Sequence, residues 1–181
     1  MSDWVGYASQ LSEATKYTNT HFDREPRLDI MAPSPELLGT CDFVLSTEVM
    51  EHVPRPVSAG FDNLRHLMRS GGLLVLTVPF APTGTTVEHF AELHDYELIE
   101  AAGRRSLRNT RPDGAVEEYD NLIFHGGDGF TLEMRVFSLP SLIDDLTAAG
   151  FVNVRVHREP VFDHEIYWQH EWSVPITARA G

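Results

Sequence analysis

An α/β fold with a mostly parallel sheet is what this sequence predicts, and three observations carry that expectation. "CDFVLST" (41–47) and "LLVLTV" (73–78) are continuous apolar runs, as in strands covered on both faces of a parallel sheet. Between them, "PRPVSAGFDNLRHLMRSGG" carries Val57, Phe61, Leu64 and Leu67/Met68 at helical spacing. Strand, helix and strand over about 35 residues make one right-handed βαβ unit.

The elements follow in order. "DWVGYASQLSEA" reads as a short helix, with Val5, Ala8 and Leu11 at helical spacing and Asp3 as N-cap. "KYTNTHF" is β-branched and aromatic and reads as a short strand. "DREPRLDIMAPSPELLGT" is a loop with an extended piece at 27–30 and a turn of helix at 35–38. Past the strand 41–47, "TEVMEHV" reads as a first helical turn. Pro56 suits the start of a helix over 56–69, Gly71-Gly72 ends it, and Pro79 stops the strand 73–78.

Residues 80–137 are expected to form a β-rich insertion or lid inside a single domain spanning 1–181, because connections this long are usually functional. "RSLRNTRPDGAVEEY" reads as a hairpin about Arg111-Pro112-Asp113-Gly114, and "NLIFHGGDG" and "TLEMRVFS" as two further extended pieces. "SLPSLIDDLTAAG" has Leu139, Leu142, Ile143 and Leu146 on one helical face, with Gly150 just past the end. "FVNVRVH" and "EWSVPITARA" are the closing strands, and the aromatic tail "FDHEIYWQHEW" is expected to pack into the core.

Composition narrows the function. A chain of 181 residues is one domain's worth. Its net charge of −13 argues against a nucleic-acid backbone as partner and favours a small-molecule substrate. Cys41 is the one cysteine, which leaves no internal disulfide and no thiolate metal cluster. "MSDWVGYASQ" lacks a basic and an apolar leader region, and no apolar run approaches about 18 residues, so a cytoplasmic protein without membrane contact is expected. Assembly as a homodimer is left open.

The succession strand 41–47, helix 56–69, strand 73–78, long insertion, helix 138–149 and two final strands resembles the back two-thirds of a class I S-adenosylmethionine-dependent methyltransferase. "DFVLSTEVMEHV" looks like that family's fourth strand and the stretch past it. "LRHLMRSGGLLVLTVPF" looks like its next helix, Gly-Gly corner and fifth strand, and "FSLPSLIDDLTAAGFVNVRV" like its penultimate helix-to-strand step. The resemblance implies a Rossmann-like sheet, mostly parallel with an antiparallel C-terminal strand, and S-adenosylmethionine as cofactor. It places Thr47 and Glu48 on the ligand edge, Asp29 and Ile30 at the adenine, and Asp23 at the ribose. One feature of the family is missing: no glycine-rich turn and no apolar first strand precede the first helix. The sheet is therefore expected to be N-terminally incomplete, either because the chain starts downstream of the true start or because it has diverged there. A non-catalytic methyltransferase-like binding domain is the competing expectation.

Glu48, Glu51 and His52 stand at i, i+3 and i+4, which on a helix share one face. They are read as first-turn structure at the cofactor edge, with His52 and Glu51 as acid/base groups toward a small-molecule or glycan-like acceptor. No metal is expected; the minority alternative is a divalent ion on Glu48, Glu51 and His52, as the similar stretch in quinone-pathway O-methyltransferases would imply, or a metal-dependent hydrolase using the same trio. In the insertion, Glu88, His89, Phe90, His94, Tyr96 and His125 are the candidate acceptor-side residues, with His89 taken as a third catalytic group.

Overall fold

The computed structural model of the protein describes residues 5–125, 131–164, 166–168 and 170–181. Helix α1 (Val5–Ala14) turns Ala8 inward and is closed by Thr15, whose N–H and hydroxyl both donate to the Leu11 carbonyl. Asp3, the expected cap, lies outside the described residues. The strand expected over 16–22 does not form: an isolated bridge joins His21 to Arg27, and Tyr17 stacks on Phe43 with ring centroids 6.2 Å apart. Strand-prone composition yields a strand only where a neighbour supplies a ladder. The turn of helix near 35 forms, as a 3₁₀ turn over Pro35–Leu37.

Strand β1 (Cys41–Thr47) lies parallel to β2 (Met68–Thr77), with Phe43 opposite Leu73 and Thr47 opposite Thr77. Helix α2 (Val57–Leu67) joins them and buries Gly60, Phe61, Leu64 and Leu67. Two expectations need correction. Gly71-Gly72 does not end the helix but lies within β2, where a side chain at Gly72 would sit 2.9 Å from the Arg69 carbonyl and 3.2 Å from that of Asp42. Nor is β1 covered on both faces. It stands at the edge of the sheet, and of its seven residues Ser46 alone is fully buried.

The insertion begins with the short strands β3 (Phe80–Ala81) and β4 (Val87–Glu88). Three strands then form an antiparallel meander: β5 (Asp95–Ala101), β6 (Arg104–Thr110) and β7 (Val116–Tyr119). The hairpin at 111–114 is there as expected, closed by Arg111 N–H on Ala115 and Gly114 N–H on Arg111. Sequence reading missed β5. Its signal is the loop Ala102-Gly103, where φ is +52 and +74, the mirror-image turn that two-residue hairpins favour. The pair β8 (Phe124–His125) and β9 (Thr131–Leu132) and the strand β10 (Arg135–Ser138) complete the region, β10 running parallel to β3 and antiparallel to β4.

Helix α3 (Leu139–Ala148) is capped by Ser138, whose hydroxyl accepts from Ser141 N–H at 3.2 Å, and Gly150 follows it at φ +90. Strands β11 (Phe151–Val156) and β12 (Ile176–Ala180) finish a four-stranded sheet in the order β1-β2-β12-β11. Strand β12 is antiparallel to both neighbours, so β1, β2 and β11 share one direction. Phe61, Leu64, Leu74, Leu76, Phe137 and Leu142 form the centre of the core between sheet and helices. The aromatic tail is a correction too: Phe162, Tyr167 and Trp172 are 73%, 59% and 50% exposed, and Trp168 is the one packed against the core. Among the described residues, no helix is long and apolar enough to cross a membrane.

Candidate functional site

The chain reverses sharply where β1 ends. Glu48 N–H donates to the Thr77 carbonyl at 2.9 Å, and Glu48 takes φ +49, a left-handed conformation uncommon outside glycine. Met50–His52 then form one 3₁₀ turn, not the first turn of a helix. Pro54 and Pro56 supply no N–H to carry the turn further. Glu48, Glu51 and His52 therefore share no helical face, and a helix dipole plays no part in their chemistry. What gathers the side chains is the insertion.

Four hydrogen bonds clamp the turn from the segment 132–135. Met134 N–H donates to the Glu51 carbonyl at 2.8 Å, and His52 Nδ1 donates to the Leu132 carbonyl at 2.9 Å. Arg135 Nη1 donates to the carbonyls of Met50 and Val53, at 2.9 and 2.5 Å. Arg135 is fully buried, and its remaining donors meet the Glu88 carboxylate at 2.7 and 3.3 Å. Helix α2 presses from the other side, where a Cβ on Gly60 would stand 2.9 Å from Cε of Met50.

Inside this clamp lies a group of carboxylates and imidazoles. Glu51 is fully buried, and neither of its oxygens has a hydrogen-bond partner among the described residues. Burial foremost, with the neighbouring charges of Glu48 and Glu133 adding to it, pushes its carboxyl from 4.5 up to about 8. His52 Nε2 lies 3.6 Å from Glu51 Oε1. Burial holds the His52 imidazole below its ordinary value, against the bond to Leu132 that favours its charged form. His125 crosses His52 edge-on with centroids 5.4 Å apart. Glu133, itself 5% exposed, accepts from Nε2 of His125 at 2.6 Å and from Nε2 of His89 at 2.7 Å. One ligand-type atom from each of Glu51, His52 and His125 lies within 4.8 Å of the others.

The three residues expected to act catalytically, His52, Glu51 and His89, thus belong to one connected cluster, joined through His125 and Glu133. The residues assigned to a cofactor are more dispersed. Thr47 and Glu48 sit at the carboxyl end of β1, with Glu48 Oε1 accepting from the Ser173 hydroxyl at 2.6 Å. Asp29 Oδ1 accepts from Met31 N–H at 2.9 Å, and Ile30 is buried in the core with its carbonyl taking Asn63 Nδ2 at 2.8 Å. Asp23 is exposed on the loop that follows His21. Of the acceptor-side candidates, Glu88 pairs with Arg135, and Phe90 is buried in a small second core with Leu107, Leu132 and Met134. His94 is bonded to the meander through Asn109 and Thr110, and Tyr96 is exposed on β5. His125 joins the cluster; the turn expected at Gly126-Gly127 lies outside the described residues.

Glu133, Arg135 and Ser173 were not foreseen. "TLEMRVF" alternates, so Glu133 and Arg135 look like solvent-facing members of an amphipathic strand. Both faces of that segment are covered here, and the alternation hides a buried pair. A separate groove of about 940 Å³ runs beside β1 between Tyr17, Leu28, Leu37, Phe43 and Leu45, and neither Thr47 nor Glu48 lines it.

No family model matches the chain, and no curated protein sequence does. Solved structures do. The 1,6-didemethyltoxoflavin-N1-methyltransferase of Burkholderia thailandensis, solved with 1,6-didemethyltoxoflavin and S-adenosylhomocysteine, aligns with a TM-score of 0.52 at 16% identity, over 96% of this chain and 64% of that one. The CurJ carbon methyltransferase aligns with a TM-score of 0.50 at 16% identity, over 86% of this chain and 34% of that one. The chain spans less than two-thirds of either protein's length. At such identities the likeness is one of fold: the chain has the class I S-adenosylmethionine-dependent methyltransferase fold, an α/β sheet with its C-terminal strand antiparallel.

Proposed function

We propose that this chain is an S-adenosylmethionine-dependent methyltransferase domain acting on a small-molecule or glycan-like acceptor, with the cofactor held at the carboxyl end of β1. The observation that carries this reading is the sheet order β1-β2-β12-β11, with an acid/base cluster built around the buried Glu51 and Glu133 just past the end of β1. Ligands of open α/β sheets bind outside the carboxyl ends of the strands. Part of the expected cofactor set fits: Glu48 offers a carboxylate, positioned by Ser173, to a cationic ligand, and Asp29 has a second oxygen free of its bond to Met31. Asp23, exposed on its loop, is the weakest member.

S-adenosylmethionine, when bound, supplies an activated methyl group. The chain's own residues hold the acceptor and manage its proton. His52 donates through Nδ1 to Leu132, so Nε2 carries the lone pair that takes a proton from an acceptor hydroxyl or amine. Its lowered pKa keeps it neutral, and therefore competent, near pH 7. Glu51 keeps its own proton at that pH and adds no charge beside the acceptor. His89 acts through Glu133, which fixes the imidazole of His125.

Calorimetric titration of the 181-residue chain with S-adenosylmethionine and S-adenosylhomocysteine tests the reading. Micromolar binding, together with H52A binding cofactor normally but losing about 10²–10⁴-fold in turnover on an identified acceptor, is the expected result. A folded chain that binds neither compound would overturn it. That outcome would favour a non-catalytic methyltransferase-like binding domain.

A further inference from the structure

We propose that Glu51, His52 and His125 form a binding site for one divalent transition-metal ion, with Glu133 positioning its histidine. The trio differs from the one the sequence suggests: Glu48 is engaged by Ser173, and His125 arrives from the insertion, 73 residues beyond His52.

Three observations point the same way. The Glu51 carboxyl is sealed from solvent and bonds to nothing among the described residues, which is costly unless something takes its lone pairs. His52 Nε2 stands 3.6 Å from Glu51 Oε1, while Nδ1 donates to a backbone carbonyl. That outer bond is the one metal-bound histidines use to fix their tautomer. His125 shares its Nε2 with the buried carboxylate of Glu133, the carboxylate–histidine pairing that orients a ligand and raises its basicity. Glu133 is in turn tied to His89, so the outer layer is itself braced.

The ligand atoms lie within 4.8 Å of one another. Two atoms each about 2.1 Å from a shared ion stand at most ~4.2 Å apart, so small side-chain rotations close the site. Two imidazoles and one carboxylate suit Zn²⁺, Mn²⁺, Fe²⁺ or Co²⁺ better than the all-oxygen preference of Ca²⁺ or Mg²⁺. The ion would occupy the His52 nitrogen assigned above to the acceptor's proton, and would bind and acidify the acceptor oxygen in its place. That consequence rests on the methyltransferase reading; the ion site does not.

The experiment titrates the chelator-stripped chain with CoCl₂, follows the visible Co²⁺ bands, then displaces them with ZnCl₂. Expected are bands that saturate at one equivalent and are lost to Zn²⁺. E51Q and H125A should each weaken binding at least about tenfold, E133Q should weaken it 10–100-fold, and H157A, altering a histidine bonded to Thr177 on β12, should match the parent. His125 is a third exposed, so H125A decides the matter even if E51Q fails to fold. Bands that never saturate, or that saturate alike in the parent, E51Q and H125A, would overturn the site as nonspecific histidine binding. Titrating S-adenosylmethionine into the same samples separates the two proposals, since either ligand can bind while the other does not.

Discussion

The two sides of the turn 48–53 are built on opposite principles. Behind it, the sheet and helices meet through Phe61, Leu64, Leu74, Leu76 and Leu142, an apolar core in which each residue needs only volume and shape. In front, the segment 132–135 meets the turn through Arg135, Glu133, Glu51 and His52, where what matters is whether every donor finds its acceptor. The first side sets the fold. The second sets where Arg135, Glu133, Glu51 and His52 stand, and tolerates far less.

The difference is sharpest under a substitution that keeps volume and removes charge. Arg135→Met should cost about 3–5 kcal/mol in urea denaturation, because the Met50 and Val53 carbonyls lose their donor and Glu88 its counter-ion. Leu76→Met, its counterpart in the sheet, should cost less than about 1.5 kcal/mol. Equal losses would erase the distinction.

Next in size is a pH effect confined to the charged side. Glu51 has a folded pKa of about 8 against an ordinary 4.5, so the folded chain holds this proton more tightly than the unfolded one. The stabilisation is fully present below about pH 4.5, is lost as pH rises to about 8, and stays lost above it. Denaturant midpoints of the metal-free chain should fall across that window by the equivalent of a few kcal/mol. E51Q should remove this part of the slope; a variant with the parent's slope would show that Glu51 is ionised throughout.

The smallest effect belongs to the solvent-exposed rim. Asp42 accepts from Arg69 at 2.6 Å, but their side chains are 76% and 56% exposed. D42A should shift stability by no more than about 1 kcal/mol, and less at high salt. A larger loss would mean that the β1 end of the groove bears on the fold more than its exposure suggests.

Legibility in the sequence divides along the same line. The strand 41–47, the helices after it and at 139–148, and the closing strand were readable, since apolar runs and helical spacing report which residues pack against the core; the antiparallel direction of the closing strand came from the resemblance alone. The helical start at 48 was not readable: "TEVMEHVPRP" has the spacing of a helix, and only the two prolines and the left-handed Glu48 say otherwise. His52, Glu51 and His89 were found as chemistry-bearing residues, but the partner that joins them, Glu133, was concealed in the alternating stretch between β9 and β10. Periodicity tells which face of an element is wet only when the other face meets the core. Where a second layer covers the wet face, as at β10, the pattern misleads.

The clamp on the turn also bears on when this protein acquires its site. Arg135 closes on Met50 and Val53 across 85 and 82 residues of chain, and His52 reaches Leu132 across 80. Contacts of that span must repay a large loop-closure entropy before they contribute, so they form late. On a ribosome, β1, α2 and β2 can pair while the insertion is still being made, but the acidic turn then has nothing to hold it. The scaffold matures before the cluster does, and a nascent chain halted short of residue 135 would have the beginnings of the sheet without the assembled cluster.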